Sequence, residues 1–343
     1  MKLPEDSSIS VPKLASVFNS TSATYKFYWF WAILDAVENK KVEISKQELF
    51  ARMISLSWYT VNYYQLSFGK QDLIQKAIER IKLYEELSID ESPDKILSHL
   101  LKSKVPETLA SLKHFDLNVP HKFISPWVGS GTKKETYQLS ENINNACPYT
   151  LQKDRIIIHR EWYNYFRNNI GILKSFCFWN LTLFLQSRNP NVPGVPLKIQ
   201  RPLIRKSLNK HKTNYWDLVI KEYGAIPCIY TGKKLDKGNY AVEHFIPFQF
   251  VAHDLMWNLV PADPLFNAKK SSKLPMFETY FDSFFNLQCE GLKIIKTIQP
   301  KNKFLQDYLS IFPDMKIDKN KYEEIIKPLL TIANNNGFQY LEL

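Results

Sequence analysis

The stretch that decides the fold of the central region runs Tyr240-Ala-Val-Glu-His-Phe-Ile-Pro247 and continues, after a loop, as Trp257-Asn-Leu-Val-Pro-Ala-Asp-Pro-Leu-Phe-Asn-Ala-Lys-Lys270. The β-branched and aromatic residues around Val242 predict a strand, and Pro264 can begin a helix. An upstream segment, Cys228-Ile-Tyr-Thr-Gly-Lys-Lys-Leu235, contains a turn former at Gly232. The predicted local order is therefore strand, turn, strand, loop and helix.

Side chains suited to phosphodiester chemistry lie along this stretch. Glu243 and His244 are neighbours on the predicted strand, so only one can face a site unless the chain bends, which Pro247 allows. A histidine can accept a proton near neutral pH, and Glu243 and Asn267 offer oxygen ligands for a hard cation such as Mg²⁺ or Mn²⁺. Each residue taken singly is more simply interpreted as a core, turn or capping residue. Only their combination indicates a site.

In combination these residues resemble the HNH endonucleases, whose ββα-metal fold carries an acidic residue and a His on its first strand, an Asn on a loop and an Asn or His on the helix. The matching residues are Glu243, His244, Asn258, Asn267 and Lys270. The intervals, fourteen residues from His244 to Asn258 and nine more to Asn267, are similar to those of the HNH domain in CRISPR effector nucleases. The resemblance covers about residues 225–275, and the rest resembles large bacterial HNH-domain proteins only in general architecture.

The resemblance implies a role for each motif residue. His244 would be the general base, Asn258 would brace the loop, and Glu243 and Asn267 would hold the metal ion, Mg²⁺ or Mn²⁺, beside the scissile phosphate. The expected reaction is in-line hydrolysis to 3′-hydroxyl and 5′-phosphate ends. Lys270 would contact a phosphate of the nucleic acid. Many family members have Asp where this chain has Glu243, so metal preference or activity could differ.

The cysteines bear on structural zinc and on the cellular location, and the loop of the motif contains a further pair of polar residues. Four cysteines lie far apart without a C-x-x-C pair, so no structural zinc is expected, although Cys228 stands where some relatives begin a zinc knuckle. This spacing and the polar start of the chain predict a reducing, cytoplasmic location. In the loop, His253 and Asp254 form either an exposed pair, which is the simpler reading, or a second proton carrier or ligand.

The charge of the chain favours a polyanionic partner. Its 343 residues include 45 Lys and Arg against 34 Asp and Glu, a net charge of +11. No acidic residue occurs between Glu161 and Asp217. The cations there that are candidates for phosphate contacts next to the motif are Arg201, Arg205, Lys206, Lys210 and Lys212. A solvated surface is the alternative reading of this run.

The fold class predicted is a mainly α multidomain protein with an embedded ββα-metal (HNH) nuclease module. Four parts are expected: a helical N-terminal domain at 1–115, a middle region at 116–197 with an aromatic helix and a Pro-rich linker, the basic segment and HNH domain at 198–290, and a C-terminal helical segment at 291–343. The aromatic run at 25–31 predicts helix core, with base stacking as the alternative. The apolar run at 176–185 is too short for a membrane span and predicts a buried helix.

The sequence thus predicts a metal-dependent endonuclease that hydrolyses DNA, with a role in bacterial defence or restriction. The helical N-terminal domain would select the substrate and could bind a protein partner or a second copy of the chain. The alternative is a non-cleaving nucleic-acid-binding or scaffolding subunit of a larger complex, with a degenerate HNH module. The presence of His244 and both candidate ligands favours the nuclease.

Overall fold

A computed structural model of the protein describes residues 2–129, 131–142, 146–201 and 206–342. The chain is mostly helical with small antiparallel sheets, as a mainly α prediction requires. It divides into two compact units, the first comprising residues 1–190 and 195–201 and the second residues 191–194 and 202–343. The four-part division expected from the sequence stays a prediction.

The first unit is built of helices around one small sheet. Its helices α1 to α11 span Val11–Ala15, Tyr25–Glu38, Lys46–Asn62, Leu73–Tyr84, Pro93–Lys102, Pro106–His114, Val119–Phe123, Ser125–Val128, Lys133–Glu141, Arg160–Asn168 and Ile170–Arg188. Short 3-10 helices lie at Phe115–Leu117 and Val195–Lys198. Strands β1 (Glu43–Ser45), β2 (Tyr149–Leu151) and β3 (Arg155–Ile158) pair antiparallel in the order β1-β3-β2.

The aromatic helix α2 forms the core of the first unit. Tyr28, Trp29 and Phe30 have no exposed surface, and Trp31 is 4% exposed. Trp29 Nε1 donates a hydrogen bond of 2.8 Å to the hydroxyl of Tyr149 on β2, which ties the helix to the sheet. The core interpretation is confirmed, and the burial leaves these rings unavailable for base stacking.

Helix α11 corrects one expectation. Leu173, Cys177 and Leu181 are fully buried, but Trp179 and Leu183 are 53% and 51% exposed. The prediction of a buried helix is therefore wrong for one of its faces, because the apolar run continues around the helix rather than along one side of it. Within the described part of the chain, no helix is long and apolar enough to cross a membrane.

The second unit contains the motif. Its helices are α12 (Asn209–His211), α13 (Asp217–Tyr223), α14 (Phe248–Val251), α15 (Pro264–Lys270), α16 (Phe277–Ile298) and α17 (Lys319–Asn335), with a π-helix at Lys212–Trp216 and 3-10 helices at Met256–Asn258 and Lys303–Ser310. Strands β4 (Ile226–Pro227) and β5 (Lys234–Leu235) form a hairpin, and β6 (Ala241–His244) pairs antiparallel with β7 (Leu259–Ala262).

Strand β7 was not predicted from residue propensities, which placed its residues in a loop. It contains Pro261, which lies opposite Val242. Proline cannot donate to a ladder, and it is tolerated here because both strands of a two-stranded sheet are edge strands. Helix α15 follows at once, with Asp263 capping it through a 3.2 Å hydrogen bond from Leu265 N and with Pro264 in its first turn.

Helix α16 fixes where β7 begins. The fully buried Gln288 donates from Nε2 to the main-chain oxygen of Leu259 at 2.7 Å, and its Oε1 accepts a 2.5 Å hydrogen bond from the hydroxyl of Tyr308. One helical turn earlier, Phe284 stacks on Phe245 with ring centroids 4.0 Å apart. Both ends of the loop between β6 and β7 are thereby held against one helix.

Candidate functional site

Strand β6 ends at a cavity of about 410 Å³ in the second unit. Glu243, His244 and Asn267 all line it, together with Lys206. The two neighbours on β6 reach the same cavity because the strand ends at His244 and the chain changes direction before α14. The bend that the sequence analysis required is therefore present.

Glu243 is paired with a buried cation. Lys270 Nζ lies 2.6 Å from Glu243 Oε1 and donates a 2.9 Å hydrogen bond to the main-chain oxygen of His244. Lys270 has no exposed surface, and Glu243 is 8% exposed. Since both partners of the ammonium group belong to β6, this burial argues against the phosphate contact expected for Lys270. The lysine instead joins helix α15 to the end of β6.

His244 is held by a carboxylate in the loop. Its Nε2 lies 2.9 Å from Asp254 Oδ1, and its ring packs edge-on to Phe248 with centroids 5.6 Å apart. A carboxylate only accepts hydrogen bonds, so Nε2 carries the proton of the neutral ring and Nδ1 keeps a lone pair. Asp254 is half-buried rather than exposed, which corrects the simpler reading of the His253 and Asp254 pair. The contact between Asp254 and His244 was not predicted from the sequence.

Asn258 spans the loop from inside. It has no exposed surface; its Oδ1 accepts from Ile246 N and its Nδ2 donates to the Ile246 main-chain oxygen, both at 2.8 Å. Its own main-chain oxygen accepts a 2.8 Å hydrogen bond from Phe245 N. The side chain therefore has both of its polar ends engaged within the protein, where it closes the base of the loop.

Asn267 differs from Asn258 in its surroundings. It is half-buried on α15 and lines the 410 Å³ cavity, and its side chain makes no hydrogen bond to another described residue. Lys270 binds Oε1 of Glu243, so the second carboxylate oxygen and the Asn267 amide oxygen are the remaining oxygen donors of this pair in the cavity. Oxygen donors of this kind are the ligands that hard cations such as Mg²⁺ prefer. No group of three His, Cys, Asp or Glu in the described ranges could hold a metal ion.

The cations of the second unit take different positions. Lys206 and Lys210 are exposed, and Lys206 lines the 410 Å³ cavity. Both lysines also line a neighbouring cavity of about 830 Å³. Lys212 donates a 2.6 Å hydrogen bond to the main-chain oxygen of Tyr240, so it stabilises the fold in addition to contributing positive charge. Among the described cations of the basic segment, Lys206 and Lys210 are therefore the exposed ones that line these cavities.

The remaining cations of the basic segment lie before or outside this region. Arg201 is exposed in the first unit, with its guanidinium 6.0 Å from the centre of the Tyr59 ring. Arg205 lies outside the described residues. Lys198, part of the same run of cations, is fully buried, and this burial lowers its pKa to about 7.

His211, Asp254 and Asp307 line the 830 Å³ cavity together with Lys206, Lys210 and Lys303. Burial lowers the pKa of His211, and the charges of Asp254 and Asp307 oppose that change. Burial also raises the pKa of Asp307, although its Oδ2 accepts a 2.9 Å hydrogen bond from Met256 N. His211 and Asp307 were not predicted from the sequence, because they lie far from the motif along the chain and carry no spacing signal of their own.

A comparison with protein families finds that the HNH endonuclease family model matches residues 228–276. The matched segment runs from just after β4 to a point beyond α15 and contains all the motif residues from Glu243 to Lys270. The chain therefore contains an HNH domain, which indicates nuclease activity in general terms. Searches of curated proteins and of solved structures found no match.

Proposed function

We propose that this protein is a metal-dependent endonuclease that hydrolyses DNA through its HNH domain. The observation that carries the proposal is that Glu243, His244 and Asn267 line one cavity of about 410 Å³, with Lys206 beside them. The net charge of +11 favours a polyanionic substrate. Strands β6 and β7 and helix α15 would correspond to the two strands and the helix of a ββα-metal module.

The proposed chemistry assigns the proton transfer to His244. Nδ1 removes a proton from the attacking water as the water oxygen bonds to phosphorus. The bond from phosphorus to the 3′-oxygen breaks, and the departing 3′-oxygen takes a proton from solvent, which leaves 3′-hydroxyl and 5′-phosphate ends. The proton that the water loses is therefore held on the imidazole of His244.

Glu243 and Asn267 would hold the cation, Mg²⁺ or Mn²⁺. When bound, such an ion supplies positive charge to the reacting phosphate. Lys270 offsets part of the Glu243 charge and keeps that carboxylate at the end of β6, next to His244. Asn258 holds the chain at Ile246 and so keeps the spacing between the base and the ligands. Asn258 itself would not contact the substrate.

A plasmid assay tests the proposal directly. Supercoiled DNA is incubated with the full chain in the presence of Mg²⁺, Mn²⁺ or EDTA, and nicked and linear products are separated on a gel. Cleavage with either metal and none with EDTA supports the proposal, and end-labelling should find 5′-phosphates. Cleavage that persists after exhaustive chelation, or single-stranded RNA cut in preference to DNA, would contradict it.

The second candidate is a non-cleaving nucleic-acid-binding or scaffolding subunit. The buried pair of Lys270 and Glu243 favours this reading, because an ammonium group already neutralises the one carboxylate of the ligand pair. Tight DNA binding with no cleavage under any metal would support it.

For the nuclease, we propose a role in bacterial defence or restriction. This role predicts fewer phage plaques on cells expressing the wild-type chain than on cells expressing the His244→Ala variant.

A further inference from the structure

We propose that Asp254 is a positioning residue that orients His244 and fixes which ring nitrogen acts as the base. The inference rests on the proposed function and extends it to a residue outside the motif. Its basis is the 2.9 Å contact between Asp254 Oδ1 and His244 Nε2 at a histidine that is 4% exposed.

The hydrogen bond determines which nitrogen is available. Donation from Nε2 to the carboxylate leaves Nδ1 as the acceptor, and the ring cannot rotate about its bond to the backbone without breaking this contact. Correct positioning of the base accounts for part of the ~10²–10⁴-fold rate enhancement that general base catalysis contributes.

The loop that carries Asp254 is anchored on its C-terminal side by three different elements. Met256 N donates to Asp307, the hydroxyl of Tyr322 donates to the main-chain oxygen of Trp257, and Asn258 is bound to Ile246. These contacts involve the 3-10 helix at Lys303–Ser310, helix α17 and the start of the loop itself. The carboxylate is therefore held in place rather than carried on a free loop.

The position of Asp254 separates it from the proposed ligands. Glu243 and Asn267 line the 410 Å³ cavity, whereas Asp254 lines the 830 Å³ cavity with His211 and Asp307. His244 lines the 410 Å³ cavity, and its Nε2 is bound to Asp254. Asp254 thus acts on the reaction through the imidazole.

The first test needs neither metal nor substrate. The wild-type protein, labelled with ¹⁵N in its histidine rings, is examined by NMR with the imidazole of His244 in its neutral form. We expect His244 to show a protonated Nε2 whose proton is shifted downfield and exchanges slowly, and this signal should vanish in His244→Ala. A His244 protonated on Nδ1, or a rapidly exchanging Nε2 proton, would overturn the proposal even if the variants below fail to fold.

The second test is a double-mutant cycle on cleavage. Asp254→Ala should lower kcat by about 10²-fold with little change in DNA affinity measured in EDTA, because only the base is disturbed. In the His244→Ala background the same substitution should have no further effect. A loss of equal size in both backgrounds would mean that Asp254 only supports the fold and would overturn the proposal.

Asp307→Asn is the matched control. It removes one negative charge from the same cavity, and its amide oxygen can still accept from Met256 N. We expect it to keep the slowly exchanging His244 proton and a kcat within about threefold of wild type. If the NMR signal is present but no variant or wild-type protein cleaves DNA, the proposed function fails while the hydrogen bond stands, so the two failures are distinguishable.

Discussion

Lys270 Nζ lies 2.6 Å from Glu243 Oε1, and the ammonium group has no exposed surface. The pair crosses from the last residue of helix α15 to the third residue of strand β6. Breaking a buried ion pair by removing one partner leaves an unpaired buried charge, which costs more than the pair itself contributes. This relationship therefore determines both the stability of the domain and the charge beside His244.

Lys270→Met keeps the length of the side chain and removes its charge. We expect it to lower the free energy of unfolding by about 3–5 kcal/mol, because Glu243 is left buried without a partner. Urea denaturation followed by circular dichroism measures the change. Lys269→Met on the same helix is the control, since Lys269 is exposed and should change stability by less than ~0.5 kcal/mol. Equal stability of the two variants would contradict the buried pair.

His244→Ala removes the proposed base. Cleavage should fall by ~10²–10⁴-fold, while DNA affinity in EDTA stays close to wild type, because the imidazole acts on the water and not on the DNA backbone. A plasmid nicking time course with a matched binding assay measures both. His114→Ala, an exposed histidine of the first unit, should leave the rate unchanged. A His244→Ala protein that cuts as fast as wild type would refute the assignment.

Asn258→Ala tests the brace of the loop. Both main-chain polar groups of Ile246 lose their partner in a fully buried position, so the free energy of unfolding should fall by about 2–6 kcal/mol, at ~1–3 kcal/mol per unsatisfied group. Thermal and urea unfolding measure the loss. Asn239→Ala, in an exposed turn before β6, should have little effect. If Asn258→Ala unfolds at the same urea concentration as Asn239→Ala, the amide is not a brace.

Local sequence signals predicted much of the fold. Helix α15 begins at Pro264 as expected, and two other helix starts are set as locally: Ser45 caps α3 by accepting from Glu48 N, and Ser92 caps α5 by accepting from Lys95 N. Strand β3 contains three consecutive β-branched residues, Ile156, Ile157 and Ile158. In each of these elements, the residues that determine where it begins lie within the element or within four residues of its end.

The contacts that arrange the candidate site lie beyond the reach of such signals. The partner of Glu243 is 27 residues away, and His244 is bound by a loop residue that sequence reasoning left as an exposed pair. Strand β7 was missed because Pro261 argues against a central strand. It is compatible with a strand only when the sheet is known to have two strands, both of them at an edge. Which side chains could form a site was readable from residue types, whereas their partners depend on tertiary packing.

Asn267→Ala tests the amide as a ligand without disturbing the fold, because its side chain is not hydrogen-bonded to other described residues. The Mg²⁺ concentration for half-maximal cleavage should rise by about tenfold or more, since one of two protein ligands is lost. Calorimetric titration of Mg²⁺ into the protein bound to uncleavable DNA gives a second readout. Leu265→Ala, exposed on the same helix, is the control. An unchanged metal requirement would exclude Asn267 from the ligand set.

Lys206 and Lys210 are two of the three exposed lysines of the second unit that line the 830 Å³ cavity, the third being Lys303, and Lys206 also lines the cavity of His244. Each phosphate contact contributes about −0.9 to the slope of log affinity against log salt on duplex DNA, so replacing both by Ala should flatten the slope by up to about 1.8. Fluorescence anisotropy in EDTA at several NaCl concentrations measures it, and sequence preference should hardly change. The control replaces Lys293 and Lys296, two exposed lysines of helix α16 that line neither cavity, and should reduce the slope far less. If both double variants give the same slope, the DNA does not run past these cavities, and the basic segment acts only as a solvated surface.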